Sequence, residues 1–346
     1  MKRFVFAALL LFTAITTASL PAADQVVRRS DRAVLRGELT AMTVASLTIK
    51  LQNGQTQEIP VSDVATVRFD MEPPTLSQAQ AAERGGSLDV ALKSYKQIQL
   101  EYAGEDKRLV TDLKFLIART QVRLAMANPA EAAAAAKAIS TFRTENPNNF
   151  RFLEASLLEA DLLGQDPAQA EAARGILTQV QGSPVKGYAL QAGVQLGMLL
   201  LKGQKTADAL MAFDKVIADS QNDPNAVSAL YDGQLGRALC LKADGKADEA
   251  ITTLDDVIAK ASETETRTLA RAWLLKGDSF REKNQPKDAL MAYLHVDILY
   301  GSEPSEHAEA LYHLSTLWGP AGHQNRADDA RAVLQAKYPN SQWAKR

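Results

Sequence analysis

Three histidines near the C-terminus, His307, His313 and His323, stand close in sequence to Glu306, Glu309 and Asp329. Imidazole with carboxylate is the donor set of many zinc and iron sites. The spacing argues against such a site here. His307 and His313 are six residues apart, whereas side chains that share a helix face recur at three or four. They are expected to be exposed helix and loop histidines, and no metal is implied. "LDDV" at 254–257 sets Asp255 and Asp256 side by side, but neighbours on a helix point in different directions and do not form a general acid–base pair. Cys240 is the only cysteine, so no intramolecular disulfide can form; its place on the apolar stripe of "LGRALCLKADG" suits a buried, unreactive thiol. No glycine-rich phosphate loop follows a strand, and no Gly-x-Ser-x-Gly elbow occurs. These residues imply no catalytic group and no cofactor.

Without chemistry to position, the elements must serve another purpose. The chain has 346 residues, 46% hydrophobic and 23% charged, enough for two domains or one extended array. It begins "MKRFVFAALLLFTAITTASLPAAD": two cations, an apolar run from Phe4 to about Ala18, then small residues at Ala22 and Ala23. That is the plan of a secretory leader over residues 1–23, and the run is shorter than the roughly 20 residues a spanning helix needs. No Cys follows it, so no lipid attachment is expected and the exported chain is expected to be soluble. Removing Lys2 and Arg3 leaves 37 cations against 41 anions, a net charge of −4. Nucleic-acid binding would need a clustered cationic excess, which is absent.

Residues 24–72 have the rhythm of strands. "AVLRGELTA", "SLTIKLQNGQTQEIP" and "ATVRFD" are short and β-branched, and the alternation puts Leu47, Ile49 and Leu51 on one face and Thr48 and Lys50 on the other. Asn53-Gly54 predicts a tight hairpin with positive φ at both residues. Four or five strands in a small barrel or curled sheet are expected, with the size and layout of the SH3-like or Sm-like barrels. "RRSDR" at 28–32 is basic, but the module holds six Lys or Arg against seven Asp or Glu, so a solvated strand edge is expected. "MEPP" at 71–74 interrupts the strands, because Pro cannot donate to a ladder. The boundary to a helical domain over 73–346 is placed there.

From Thr75 helical periods take over, punctuated by turn signals such as "RGG" at 84–86, "ENPNN" at 145–149 and "KNQP" at 283–286. One pattern recurs: a small residue, a large one four later and an apolar one seven later. It is carried by Ala91, Tyr95 and Ile98; Ala135, Ile139 and Phe142; Ala173, Leu177 and Val180; Ala209, Phe213 and Val216; Ala250, Leu254 and Val257; and Ala289, Tyr293 and Val296. Ala330 and Leu334 begin a seventh copy, with Lys337 in the third place. Anchors lie 44, 38, 36, 41, 39 and 41 residues apart, the period of a helical-repeat solenoid of about seven helix pairs.

These residues resemble the tetratricopeptide repeat family. The resemblance covers about 75–338 and is strongest over 186–300, where Leu196, Gly197, Leu200, Ala209, Phe213 and Val216, then Trp273, Gly277, Phe280, Ala289, Tyr293 and Val296, carry the family pattern. It implies a mainly α fold in which stacked helix pairs bury a continuous core and leave one curved surface for a partner protein or an extended peptide. The units are longer than the family's basic 34 residues, so helices or connections must be extended. Gln191, Met198 and Lys202 in one unit, Asp232 and Lys242 in the next, and Arg271, Asp278 and Arg281 in the third lie on first helices, off the stripe that the second helix covers, and are the candidate protein-binding residues. Some family members hold a peptide carboxylate with Lys and Asn at repeated inner positions; Val194 and Met198 occupy comparable places here. Trp273 and Trp318 suit core packing, and Trp343 falls in a polar tail where exposure is expected. The setting implied by resemblance and leader together is a bacterial periplasm or envelope. The rival readings are an enzyme or glycan-handling protein with its site at the junction of the β module and the array, and a structural component that self-assembles.

Overall fold

A computed structural model describes residues 23–70, 72–102 and 106–346. The leader segment before residue 23 lies outside the described residues. Five strands come first: β1 (Asp24–Arg28), β2 (Val34–Met42), β3 (Ser46–Leu51), β4 (Thr56–Pro60) and β5 (Val64–Arg68). They form one antiparallel sheet in the order β4-β3-β2-β1-β5. Leu47 and Ile49 are fully buried while Lys50 is exposed, as the alternation requires. The β3–β4 hairpin forms, but not through the expected turn. Only Gly54 has positive φ (84°), and its N–H donates to the Leu51 carbonyl at 2.9 Å. The loop is therefore an ordinary turn closed by a left-handed Gly, with the Asn53 side chain accepting from the Gln55 N–H at 3.0 Å. "RRSDR" is absorbed locally: Arg28 pairs with Asp31, Arg29 donates to the Val64 carbonyl, and Ser30 donates to Asp63.

Fourteen α-helices follow among the described residues: α1 (Pro74–Arg84), α2 (Leu88–Glu101), α3 (Lys107–Ala127), α4 (Ala132–Glu145), α5 (Phe152–Leu163), α6 (Ala170–Gln181), α7 (Lys186–Lys202), α8 (Thr206–Ser220), α9 (Val227–Ala243), α10 (Ala247–Lys260), α11 (Thr266–Glu282), α12 (Pro286–Leu299), α13 (Pro304–Leu317) and α14 (Gln324–Lys337). They form seven pairs, units 1 to 7. Every anchor of the recurring pattern from Ala91 to Leu334 is buried, and Lys337 is exposed. In units 2, 4, 5 and 6 the extra length sits in the first helix: α3 has 21 residues and α7, α9 and α11 have 17 each, whereas the second helices of the array have 12 to 15.

Each second helix but the last, α14, is seated between its own first helix and that of the next unit, and first helices also touch one another along the array. The first helices therefore line the inner side. Close approach depends on small residues. A Cβ placed on Gly197 of α7 would stand 2.6 Å from the Phe213 ring, and one on Gly236 of α9 only 2.2 Å from it. Phe213 is thus held between glycines of two successive units. Cys240 lies fully buried beside it, and burial pushes its thiol up to about 11, with Asp244 and Asp214 adding to the shift.

One continuous hydrophobic core runs from Val26 in the sheet through Ala192 in α7. The sheet lies across the N-terminal ends of two first helices. Arg108 of α3 is paired with the buried Asp24 at 2.8 Å and covers the Phe69 ring, while Ser62 packs so closely on Gly187 of α7 that a Cβ there would stand 2.8 Å away.

Candidate protein-binding surface

The inner face changes character along the array. In units 1 to 3 its polar groups are spent on one another. Arg108, Asp112, Arg119 and Arg123 fall on one side of α3 at helical spacing. Glu83 of α1 accepts from Arg119 at 2.7 and 2.9 Å, from Arg123 at 3.1 Å and from the Tyr95 hydroxyl at 2.8 Å. Arg119 also reaches Glu154 of α5, and Arg151 joins Glu154 to Asp112. Burial raises the Glu83 carboxyl, but these donors outweigh it and hold the group below its ordinary range.

In units 5 to 7 the inner face carries a ladder of ion pairs between successive first helices. Asp232 of α9 faces Arg271 of α11 at 3.4 Å, and Lys242 of α9 faces Asp278 and Glu282 of α11 at 3.5 and 3.6 Å. Packing around Asp232 raises its carboxyl, against the pull of Arg271 and Arg267. Asp278 accepts from the Tyr293 hydroxyl at 2.7 Å, and Arg281 donates to His313 Nδ1 of α13 at 3.0 Å. A guanidinium has no lone pair to offer, so His313 Nδ1 is the acceptor. Five of the eight candidate residues are thereby engaged between units, Asp232 with Arg271 in one pair and Lys242, Asp278 and Arg281 in a second cluster.

Gln191, Met198 and Lys202 stand apart from it on α7, all exposed. Beside Met198 and Lys202 lies an open hollow of about 570 Å³ whose walls come from α5, α6, α7 and α9. Val194, Met198, Leu199, Leu201 and Leu239 make it largely apolar. Gln195 lines it too, and its Oε1 is buried with no hydrogen-bond partner. Lys202 Nζ donates to the Gly164 carbonyl at 2.9 Å and to Gln165 Oε1 at 3.1 Å. Gln195 was not among the expected residues; its signal in the sequence is a polar residue inside an otherwise apolar helix stretch, which single positions do not make specific.

The junction of sheet and array holds a second open cavity of about 530 Å³, lined by Asp24, Glu38, Lys50, Asp70 and Arg108 among others. Asp24 is engaged there by Arg108 and by the N–H groups of Leu39 and Asp70, both at 2.9 Å, so its carboxylate is a structural tie.

The expectation for the histidines is corrected in part. His307 and His313 are buried, 2% and 5% exposed, because each is captured by partners from other elements. His307 bridges Asp297 and the Tyr338 hydroxyl, both at 2.8 Å, and His313 stacks on Tyr293 with ring centroids 4.6 Å apart. His323 is exposed as expected. Among the described residues no three His, Cys, Asp or Glu side chains could hold a metal ion together. Trp318 is buried and Trp273 is stacked on His295 at 3.9 Å, while Trp343 folds back onto Tyr312 rather than standing free.

Comparison with known proteins agrees with this architecture. A family model described as tetratricopeptide repeat matches residues 232–264. A crystal structure of a tetratricopeptide repeat protein from Parabacteroides merdae is similar at 15% identity and a TM-score of 0.53, covering 78% of this chain and 96% of its own. PilW, titled a widely conserved type IV pilus biogenesis factor, is similar at 17% identity and a TM-score of 0.46, covering 66% of this chain and 97% of its own. No curated protein matches. The helical array of this chain is a solenoid of tetratricopeptide-repeat type, with a matched repeat in its fifth unit.

Proposed function

We propose that the protein is an exported scaffold that holds another protein, or an extended segment of one, on the inner face of units 4 to 6, and that it serves assembly or maintenance of the periplasm or cell envelope. The observation that carries the reading is the open apolar hollow on the inner face, set between two stretches whose polar groups are paired among themselves. A solenoid offers such a surface without closing a deep pocket around a substrate. Export rests on the leader pattern and on its position immediately before β1. Among the described residues, no helix is long and apolar enough to cross a membrane.

The test is in-cell photocrosslinking from Gln191, an exposed position outside the ion-pair network, followed by identification of the captured protein. A partner captured at Gln191 and absent when the probe is moved to the outer face of α8 supports the scaffold; equal capture at both positions, or none, overturns it. Mass spectrometry of the mature N-terminus tests export, with a first residue near Ala23 or Asp24 expected.

A further inference from the structure

Resting on the scaffold reading, we infer that the space between α5, α7 and α9 receives one large apolar side chain of an extended acidic segment of a partner protein, with Lys202 facing a carboxylate of that segment.

Three observations carry this. First, the hollow interrupts two stretches of inner face whose polar groups already have partners, and its walls are Val194, Met198, Leu199, Leu201 and Leu239, with a volume of about 570 Å³. An apolar cavity open to water gains most from an apolar side chain, which releases water at no cost in lost hydrogen bonds. Second, the Gln195 amide makes no hydrogen bond with the protein although it lines the hollow, and its Oε1 is buried without a partner. A main-chain amide arriving beside the apolar side chain supplies the matching donor and acceptor after a small rotation of that side chain. Third, the charge at this end of the groove is positive. A second cavity of about 270 Å³ shares Gly164, Leu199 and Lys202 with the hollow and adds Arg174 and Lys205. Arg174 and Lys205 share the single carboxylate of Glu171, and Lys202 donates to neutral oxygens with no carboxylate within ion-pair distance among the described residues. Counting Asp161 on the other rim, three cations face two anions. This is one cation beside an apolar hollow, not a row of lysines and asparagines.

The experiment is selection of a phage-displayed library of random dodecapeptides on the protein, with affinities of the selected peptides measured by fluorescence anisotropy. Leu239→Trp fills the hollow, Lys202→Glu reverses the rim charge, and Gln195→Leu removes the amide. Selected peptides are expected to share a large apolar residue with a neighbouring Asp or Glu, and Leu239→Trp should weaken them at least about tenfold, as filling an anchor pocket does. Lys202→Glu should weaken them by roughly the same factor, and a peptide whose acidic residue is changed to Lys should regain affinity for that variant. Gln195→Leu should leave the melting temperature unchanged or higher, which separates a ligand-facing amide from a structural one. Each variant's far-UV circular dichroism confirms folding. Peptides that bind Leu239→Trp and the wild type alike, or that show no charge-swap recovery, overturn the inference. If those same peptides are lost on Arg271→Glu, the scaffold reading survives without the hollow. If no peptide is selected and no partner crosslinks at Gln191, both fall.

Discussion

Phe213 shows how single residues hold the array together. Its ring is fully buried between Gly197 and Gly236, so one aromatic links two units. Phe213→Ala should cost roughly 3–5 kcal/mol by the usual penalty for truncating a buried aromatic. Gly236→Ala acts from the other side: its methyl would overlap the ring, and the overpacked interface should lose about 1–3 kcal/mol. Urea unfolding of both variants checks the pair; a change below about 0.5 kcal/mol for Phe213→Ala, the range of surface substitutions, would contradict the alignment of units. The anchors from Ala91 to Leu334 were legible because burial repeats at a fixed offset on each second helix. The burial of His307 and His313 was not. Their captors, Asp297, Tyr338, Arg281 and Tyr293, come from other elements, three before α13 in the chain and one after it, and no local spacing announces them.

At the scale of elements, the ties between first helices decide how units 1 to 3 respond to acid. Glu83 on α1 gathers Arg119 and Arg123 of α3, and its folded carboxyl lies below the ordinary value near 4.5. A group depressed in this way contributes its full stability above the unfolded value and loses it as pH falls through the folded one. Acidification from about pH 4.5 downward should therefore loosen α1 against α3. Amide hydrogen exchange in α1 should rise over that window in the wild type and already be fast at neutral pH in Glu83→Gln. The sheet is tied to the array in the same manner. Arg108→Ala leaves Asp24 buried with only two backbone donors, and a loss of about 2 kcal/mol is expected, at the lower end for a broken buried pair because Arg108 is itself a third exposed. Faster exchange in β1 together with the first turn of α3 is the signature; unchanged exchange in β1 would show that the shared core alone anchors the sheet.

For the whole molecule, stability is expected to run along the array from neighbour to neighbour. α14 is exposed except at Ala327, Ala330 and Leu334, and it covers the apolar side of α13 at the end of the stack. Deleting residues from Gly322 onward should lower the melting temperature and remove the helical signal of unit 7, while units 1 to 6 keep theirs. Complete loss of helicity in that variant would mean that the array unfolds as one indivisible body. The sheet end should behave otherwise, because one core runs from Val26 to Ala192. Removing the strands strips cover from several units at once, so their loss should depress stability more than loss of α14.

The helical repeat, its seven pairs and the buried anchors followed from the sequence by itself, because the periods of helices and strands and the turn residues between them are local properties of the chain. Gln191, Met198 and Lys202 were legible as exposed first-helix positions for the same reason. The tertiary structure alone decided that Asp232, Lys242, Arg271, Asp278 and Arg281 bridge units, that the sheet shares a core with units 1 to 4, and that a hollow opens between α5, α7 and α9. Each of these depends on the distance and rotation between elements far apart in sequence, which side-chain packing sets and periodicity does not encode.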